Sequence, residues 1–408
     1  MGGPPAARPE PPVYRPFALL AFGSTILLGT PLGLLLLAWL YGGASAVTAE
    51  TVRLHAAIQL FGFFATLIVG VAHHLLPRFT GREVRWTRLT PWLFALLAGA
   101  VALRAAAAWE GRAAGLAVGA ALHAGAFALF GAWVWRMLDP PPLAPLRRQL
   151  TLSTAWLAAA AALDAGLRAL AIAGGRPGPD AGGLQVVYAM AVFGGVLGWV
   201  LGVLLRAGPM FVVDWRMPPA LARALPFLLA LAVLLTALSA TAPVGAATSI
   251  VFARLGDLTA VGTALAAVVA GGAVRRAPRA LPMLSRSPAE TRLFRLALAC
   301  LAAAAIVAAV SVPLADSPLA RLLGDAIRHL VTIGFLTSVV VAMTFRLIPI
   351  LETAPLRWPR LRTVAFWALL AAVTLRTAQI AVGLGGRPLA HAVALSGVFA
   401  WLAVAAVG

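Results

Sequence analysis

The sequence predicts an all-α fold: a polytopic membrane bundle of twelve transmembrane helices in three pseudo-repeats of four. Three observations carry this. The 408 residues are 62% apolar and only 11% charged, a balance foreign to soluble domains. Apolar runs of about twenty residues recur along the whole length, long enough to cross a bilayer as helices and without the short alternating pattern of a spanning strand. A glycine–proline spacing recurs three times and divides the chain into units of four spans.

The spans lie at roughly 17–41, 53–76, 91–110, 113–137, 151–173, 184–206, 221–240, 246–273, 293–314, 325–348, 361–383 and 389–407. Span 1 follows a short Pro-rich tail, MGGPPAARPEPP, with no cleavable-signal pattern. Span 2 organises the rest. Arg53 to Arg82 reads RLHAAIQLFGFFATLIVGVAHHLLPRFTGR, with His55 at its start, His73 and His74 near its end, and Pro77 and a basic loop closing it. Histidines are rare within spans and usually carry a function there. Spans 3 and 4 hold Arg104 and His123. Span 5 holds Asp164 and Arg168, four apart as in a helix-internal ion pair, and Gly174 to Pro179 punctuates its end. Spans 6 and 7 contain no histidine, and Tyr188 is the titratable group in the middle of that region. Span 8 has Arg254 and Asp257 three apart, and Cys300, the single cysteine, lies in span 9. One cysteine rules out an internal disulfide and a Cys-only metal site. Span 10 begins near Arg328 and His329. Gly383 to Pro388 separates span 11, with Arg376, from span 12, with His391.

The formal charge of +19 resembles a nucleic-acid signature, but the basic residues sit in short loops between spans, and no nucleic-acid partner is expected. Arg78, Arg82, Arg85 and Arg88 follow span 2. Arg136, Arg147 and Arg148 follow span 4. Arg275, Arg276, Arg279 and Arg286 follow span 8, and Arg357 and Arg360 follow span 10. Positive loops stay cytoplasmic, so an even number of spans puts both termini on the cytoplasmic side of a bacterial inner membrane. Spans 2 and 10 then run from outside to inside.

The chain reads as one membrane domain, residues 1–408, with pseudo-repeats near 13–140, 145–276 and 285–408. Gly62, Gly194 and Gly334 each precede a proline, Pro77, Pro209 and Pro349, by fifteen residues. The copies are 132 and 140 residues apart. His74, Arg206 and Arg346 stand three before each proline. Arg104 and Arg376 lie 27 after theirs, and His123 and His391 lie ten before Trp133 and Trp401.

Twelve spans in three arcs of four resemble subunit I of the haem–copper oxidase superfamily, which includes nitric oxide reductases. His74-Leu-Leu-Pro77-Arg-Phe-Thr-Gly81 looks like the motif that closes its haem-carrying helices, and His329-Leu-Val-Thr332-Ile-Gly334-Phe335 resembles its tenth helix. His55 leading into Leu60-Phe61-Gly62-Phe63 is similar to the NnrS family, haem-containing membrane proteins linked to nitric oxide metabolism.

The resemblance implies one low-spin haem b held by a histidine on helix 2 and another on helix 10, here His55 and His329. From the loop charges alone, both lie within the first turns of the outer ends of their spans, at about 1.5 Å of depth per residue, so the two rings come level. The bland alternative is a pair of buried histidines bonded to backbone or to each other. Arg376 and Arg104, inside their spans and level with that site, need anions, and haem propionates suit them. Arg53 and Arg328 flank the two histidines and either reach propionates or remain surface charges. His391 is the alternative axial ligand, and His123 shares its repeat position, so both are further candidates for metal or haem. His74 reads as interfacial anchoring or as a proton-uptake or redox-linked group.

The sequence departs from the oxidases at their catalytic centre. Ile327 stands where they carry a further histidine, the histidine-free spans 6 and 7 lack their copper ligands, and Ala57 stands where NnrS commonly has a second histidine. No oxidase-type copper site is expected, and whether the protein is an enzyme stays open. The expectation is a haem protein of nitric oxide or respiratory electron-transfer metabolism. Its expected partners are haem, the bilayer and other respiratory or membrane-complex subunits. The rivals are a twelve-helix secondary transporter and a non-catalytic structural subunit of a respiratory or photosynthetic complex.

Overall fold

The computed structural model describes residues 13–42, 48–83, 88–139, 144–211, 215–242, 245–273, 288–385 and 389–408. The N-terminal tail, Arg85, Arg275, Arg276, Arg279, Arg286, Pro388 and the side chains of Pro209 and Met210 lie outside the described residues. Among those described, every regular element is helical. Eleven helices are long and apolar enough to cross a membrane: α1 Tyr14–Tyr41, α2 Ala49–Thr80, α3 Leu89–Trp109, α4 Ala113–Met137, α5 Ala144–Ala173, α6 Ala181–Gly208, α7 Pro219–Thr241, α8 Ala246–Ala270, α9 Ala289–Ser311, α10 Ala320–Glu352 and α11 Leu361–Gly383. A shorter apolar helix, α12, spans Ala390–Ala405. The chain has the build of a multi-pass membrane protein, because only self-satisfied backbone is tolerated in lipid.

Local chemistry sets the helix ends. The Thr48 hydroxyl accepts the Thr51 amide at 3.2 Å at the start of α2, and Asp180 Oδ1 accepts the Gly183 amide at 2.7 Å at the start of α6. Each side chain satisfies an amide that the first turn leaves without an intrahelical partner. Gly81, at φ 65°, ends α2 in the left-handed conformation that glycine adopts without a Cβ penalty.

Burial sorts the helices into two classes. The most apolar stretches of α2, α6 and α10 are 72%, 83% and 61% buried, whereas the other long helices fall between 33% and 44%. These three are the inner helices. The others pack around them largely in chain order: α3 on α4, α4 on α5, α5 on α6, α7 on α8, α8 on α9, and α11 on α12. α12 also packs on α1, where Trp401 Nε1 donates to the Ile26 carbonyl at 2.9 Å.

Each inner helix contains an eight-residue π-helical segment, Ile58–Ala65, Met190–Leu197 and Leu330–Thr337. They start at 58, 190 and 330, the same intervals of 132 and 140 that separate Gly62, Gly194 and Gly334. A π turn widens the helix and displaces its carbonyls. Thr66 Oγ1 donates to the Phe61 carbonyl at 2.8 Å and Thr337 Oγ1 to the Thr332 carbonyl at 2.9 Å. The segments of α2 and α6 touch each other. A Cβ on Gly194 would lie 2.5 Å from Trp156, and one on Gly334 would lie 2.6 Å from the Cβ of Cys300. These glycines let the neighbouring helices α5 and α9 close onto the inner ones.

Candidate functional site

A cavity of about 500 Å³ opens among the inner helices at the His55 end of the bundle. His55 from α2 and His329 from α10 both line it, with Asp325 and Arg328 from α10, Arg376 from α11, Asp257 from α8 and Tyr188 from α6. Phe63, Phe64, Phe193 and Leu369 supply apolar walls. The volume lies in the range of sites that enclose sizeable organic ligands.

The sequence folds to present both imidazoles in one tautomer. His55 Nδ1 lies 2.7 Å from the Gly29 carbonyl, the last residue of a π turn over Thr25–Gly29 in α1. His329 Nδ1 lies 2.8 Å from the Asp325 carbonyl, one turn back in its own helix. A carbonyl only accepts, so each neutral ring carries its proton on Nδ1 and keeps the lone pair on Nε2. Gly33 makes room for the His55 ring, because a Cβ there would fall 2.6 Å from its Cε1.

Arg376 is 7% exposed. Its Nη2 donates to Asp325 Oδ2 at 2.6 Å. The guanidinium thus has two buried N–H groups, on Nε and Nη1, with no acceptor among the described residues. Arg328 is half exposed and lies 3.8 Å from Asp325 Oδ1.

The remaining sequence candidates are placed elsewhere. Arg104 is fully buried and donates to Asp164 Oδ2 at 2.6 Å, so its counter-ion is a carboxylate of α5. Asp164 also accepts from Arg168 at 3.0 Å, Arg168 donates to Glu50 at 2.9 Å, and Arg53 meets Glu50 at 3.1 Å and donates to the Pro179 carbonyl at 3.0 Å. Arg53 thus ends a chain of alternating charges that pins α2, α3 and α5 together, outside the cavity lining. His123 is fully buried against the rings of Phe61 and Phe127 at 5.5 and 5.9 Å, and neither nitrogen has a partner among the described residues. His391 is exposed at the start of α12 and does not line the cavity. His73 donates from Nδ1 to the Val69 carbonyl at 2.7 Å and stacks on Trp133 at 4.1 Å, a packing role.

Asp325, Gly29 and Gly33 are the site residues that sequence reasoning misses. Asp325 leaves a signal, a carboxylate four residues before His329 at the start of span 10. The two glycines leave none, because their role depends on where α1 crosses α2. Among the described residues, no three His, Cys, Asp or Glu side chains gather as a metal-ion site. Compared with known families and curated proteins, the sequence matches no family model and no curated protein.

Proposed function

We propose that the protein is an integral membrane haem protein in which His55 and His329 are the two axial ligands of one low-spin haem b. One observation carries the reading: two histidines from different inner helices line a single large cavity, each with Nδ1 engaged by a backbone carbonyl and Nε2 left as the lone pair. A zinc ion takes three or four protein ligands. An iron porphyrin brings four equatorial nitrogens and asks the protein only for axial ones, which suits a two-histidine site.

The donor set fits the rest of such a group. Arg376 and Arg328 both line the cavity, and a propionate is the kind of anion their guanidiniums pair with. The Nδ1–H bonds to Gly29 and Asp325 fix both ring orientations and raise the basicity of Nε2, as outer hydrogen bonds do for ligating histidines. Phe63, Phe64 and Phe193 exclude water from the walls. Haem, when bound, supplies one-electron chemistry. With both axial positions held by histidine, the residues favour electron transfer over gas binding, and the biological setting by resemblance is nitric oxide or respiratory electron-transfer metabolism. The haem–copper-oxidase-like arrangement of three four-helix repeats, the bacterial inner-membrane location and the cytoplasmic termini belong to the same proposal.

The test is a dithionite-reduced minus oxidised spectrum of the purified protein beside His55→Ala and His329→Ala. Parent protein with a low-spin haem spectrum that both variants lose supports the clamp. Retention of the spectrum in both variants overturns it.

A second reading is favoured by the charged lining itself. Asp257, Asp325, Arg328 and Arg376 around one cavity also suit a polar solute in a secondary transporter. A colourless protein that binds a charged solute at this cavity would establish that reading.

A further inference from the structure

A second cavity, of about 320 Å³, lies toward the opposite end of the bundle between α1 and the three inner helices. Phe64 lines both cavities and stands between them. The wall of the second one is almost entirely carbon, from side chains such as Leu67, Val203, Leu336 and Met343. Polar side chains gather at one end, where the Tyr14 hydroxyl and the Arg15 guanidinium both donate to Glu352. His74 lies beside Tyr14, with ring centroids 5.7 Å apart, and its Nε2 is buried with no partner among the described residues.

Water gains little in such a space, because it needs two to four polar partners. An empty space leaves its lining atoms without dispersion contacts. The surroundings of a membrane protein offer an alternative filler in abundance, the hydrocarbon chains of the bilayer. Chain volume belongs in the apolar body of the cavity, and an oxygen-bearing head belongs at the end where Tyr14, Arg15, His74 and Glu352 meet. We propose that this cavity binds a membrane amphiphile, with its apolar chain between α1, α2, α6 and α10 and its hydrogen-bonding head at that polar cluster. The chain is acyl or isoprenoid, which share this chemistry. The inference is independent of the haem reading.

The experiment reconstitutes the full-length protein in lipid nanodiscs with a diazirine-bearing palmitate and maps photolabelled residues by mass spectrometry. Label is expected on Leu67, Val203 and Met343 in excess of that on Leu231 and Leu234, which are 45% and 54% exposed on α7. Val203→Phe, which fills the cavity, is expected to lower the lining label several-fold, because the ring takes space that the chain needs. Ala18→Leu, filling the same space from α1, takes its place if Val203→Phe does not yield folded protein. Competition by excess phosphatidylglycerol identifies an acyl chain, and competition by farnesol an isoprenoid one. Competition by neither overturns the proposal. So does lining label no denser than that on Leu231 and Leu234, or undiminished label in a filled variant that elutes and melts like the parent.

Discussion

Arg376 on α11 and Asp325 on α10 are joined by a 2.6 Å hydrogen-bonded ion pair, and the carbonyl of that same Asp325 holds the His329 ring. The side chain and the backbone of one residue thus serve two neighbours. Asp325→Ala removes the carboxylate and leaves the carbonyl. Breaking a fully buried pair costs about 3–5 kcal/mol. Asp325 keeps 28% side-chain exposure toward the cavity, which places the expected cost lower, at about 2–3 kcal/mol. Unfolding by SDS titration, followed by tryptophan fluorescence, checks this. The double variant Asp325→Ala with Arg376→Leu should recover part of the loss, because no buried charge then lacks a partner.

Gly33 and His55 give a second expectation. A Cβ on Gly33 would stand 2.6 Å from the imidazole, well inside contact distance. Gly33→Ala should therefore turn the His55 ring off the Gly29 carbonyl. If His55 ligates haem, the substitution should lower the haem-to-protein absorbance ratio several-fold without changing elution on size exclusion. An unchanged ratio in correctly folded protein would show that the ring orientation is unimportant.

The charge chain around Arg104 predicts the converse, a loss of stability with no change at the cavity. Asp164 accepts from both Arg104 and Arg168, so Asp164→Leu strands Arg104 and leaves Arg168 with Glu50 alone, while Arg104→Leu leaves Asp164 paired with Arg168. The expected order is a loss of about 3–5 kcal/mol for Asp164→Leu and a smaller loss for Arg104→Leu, read in the same SDS titration. If the protein carries haem, its visible spectrum per folded molecule should not move in either variant.

Close packing at the π segments is tested with glycine. A Cβ at position 334 would stand 2.6 and 2.8 Å from the Cβ and Sγ of Cys300. Gly334→Val forces two further methyl groups into that space, and overpacking of this kind costs about 1–3 kcal/mol. Gly99 in α3 meets only Leu122 at 3.8 Å, an ordinary contact. Gly99→Ala should leave thermal stability unchanged or slightly raised, because alanine restricts the unfolded chain without a clash. Equal destabilisation by the two substitutions would mean that the close approach at Gly334 contributes nothing.

The spans, and the shared level of His55 and His329 along them, are legible in the chain alone. Span length follows from bilayer thickness, which acts on any apolar run irrespective of neighbours, and the helices fall where the apolar runs do. His55 and His329 are legible for the same reason: a residue's depth in a span is its distance along the chain from the span's end. Pairing is not legible. Arg104 and Arg376 hold equivalent positions after Pro77 and Pro349, yet one meets Asp164 on α5, 60 residues along, and the other meets Asp325 on α10, 51 residues before it. Which acid a guanidinium reaches depends on how each helix is rotated about its axis and on which helix stands beside it. A π segment in each inner helix shifts that rotation, and only packing of the whole bundle selects the neighbour. Tertiary packing therefore sends Arg104 to the scaffold and Arg376 to the cavity, and brings the Gly29 carbonyl and the side-chain-free Gly33 to the face of His55.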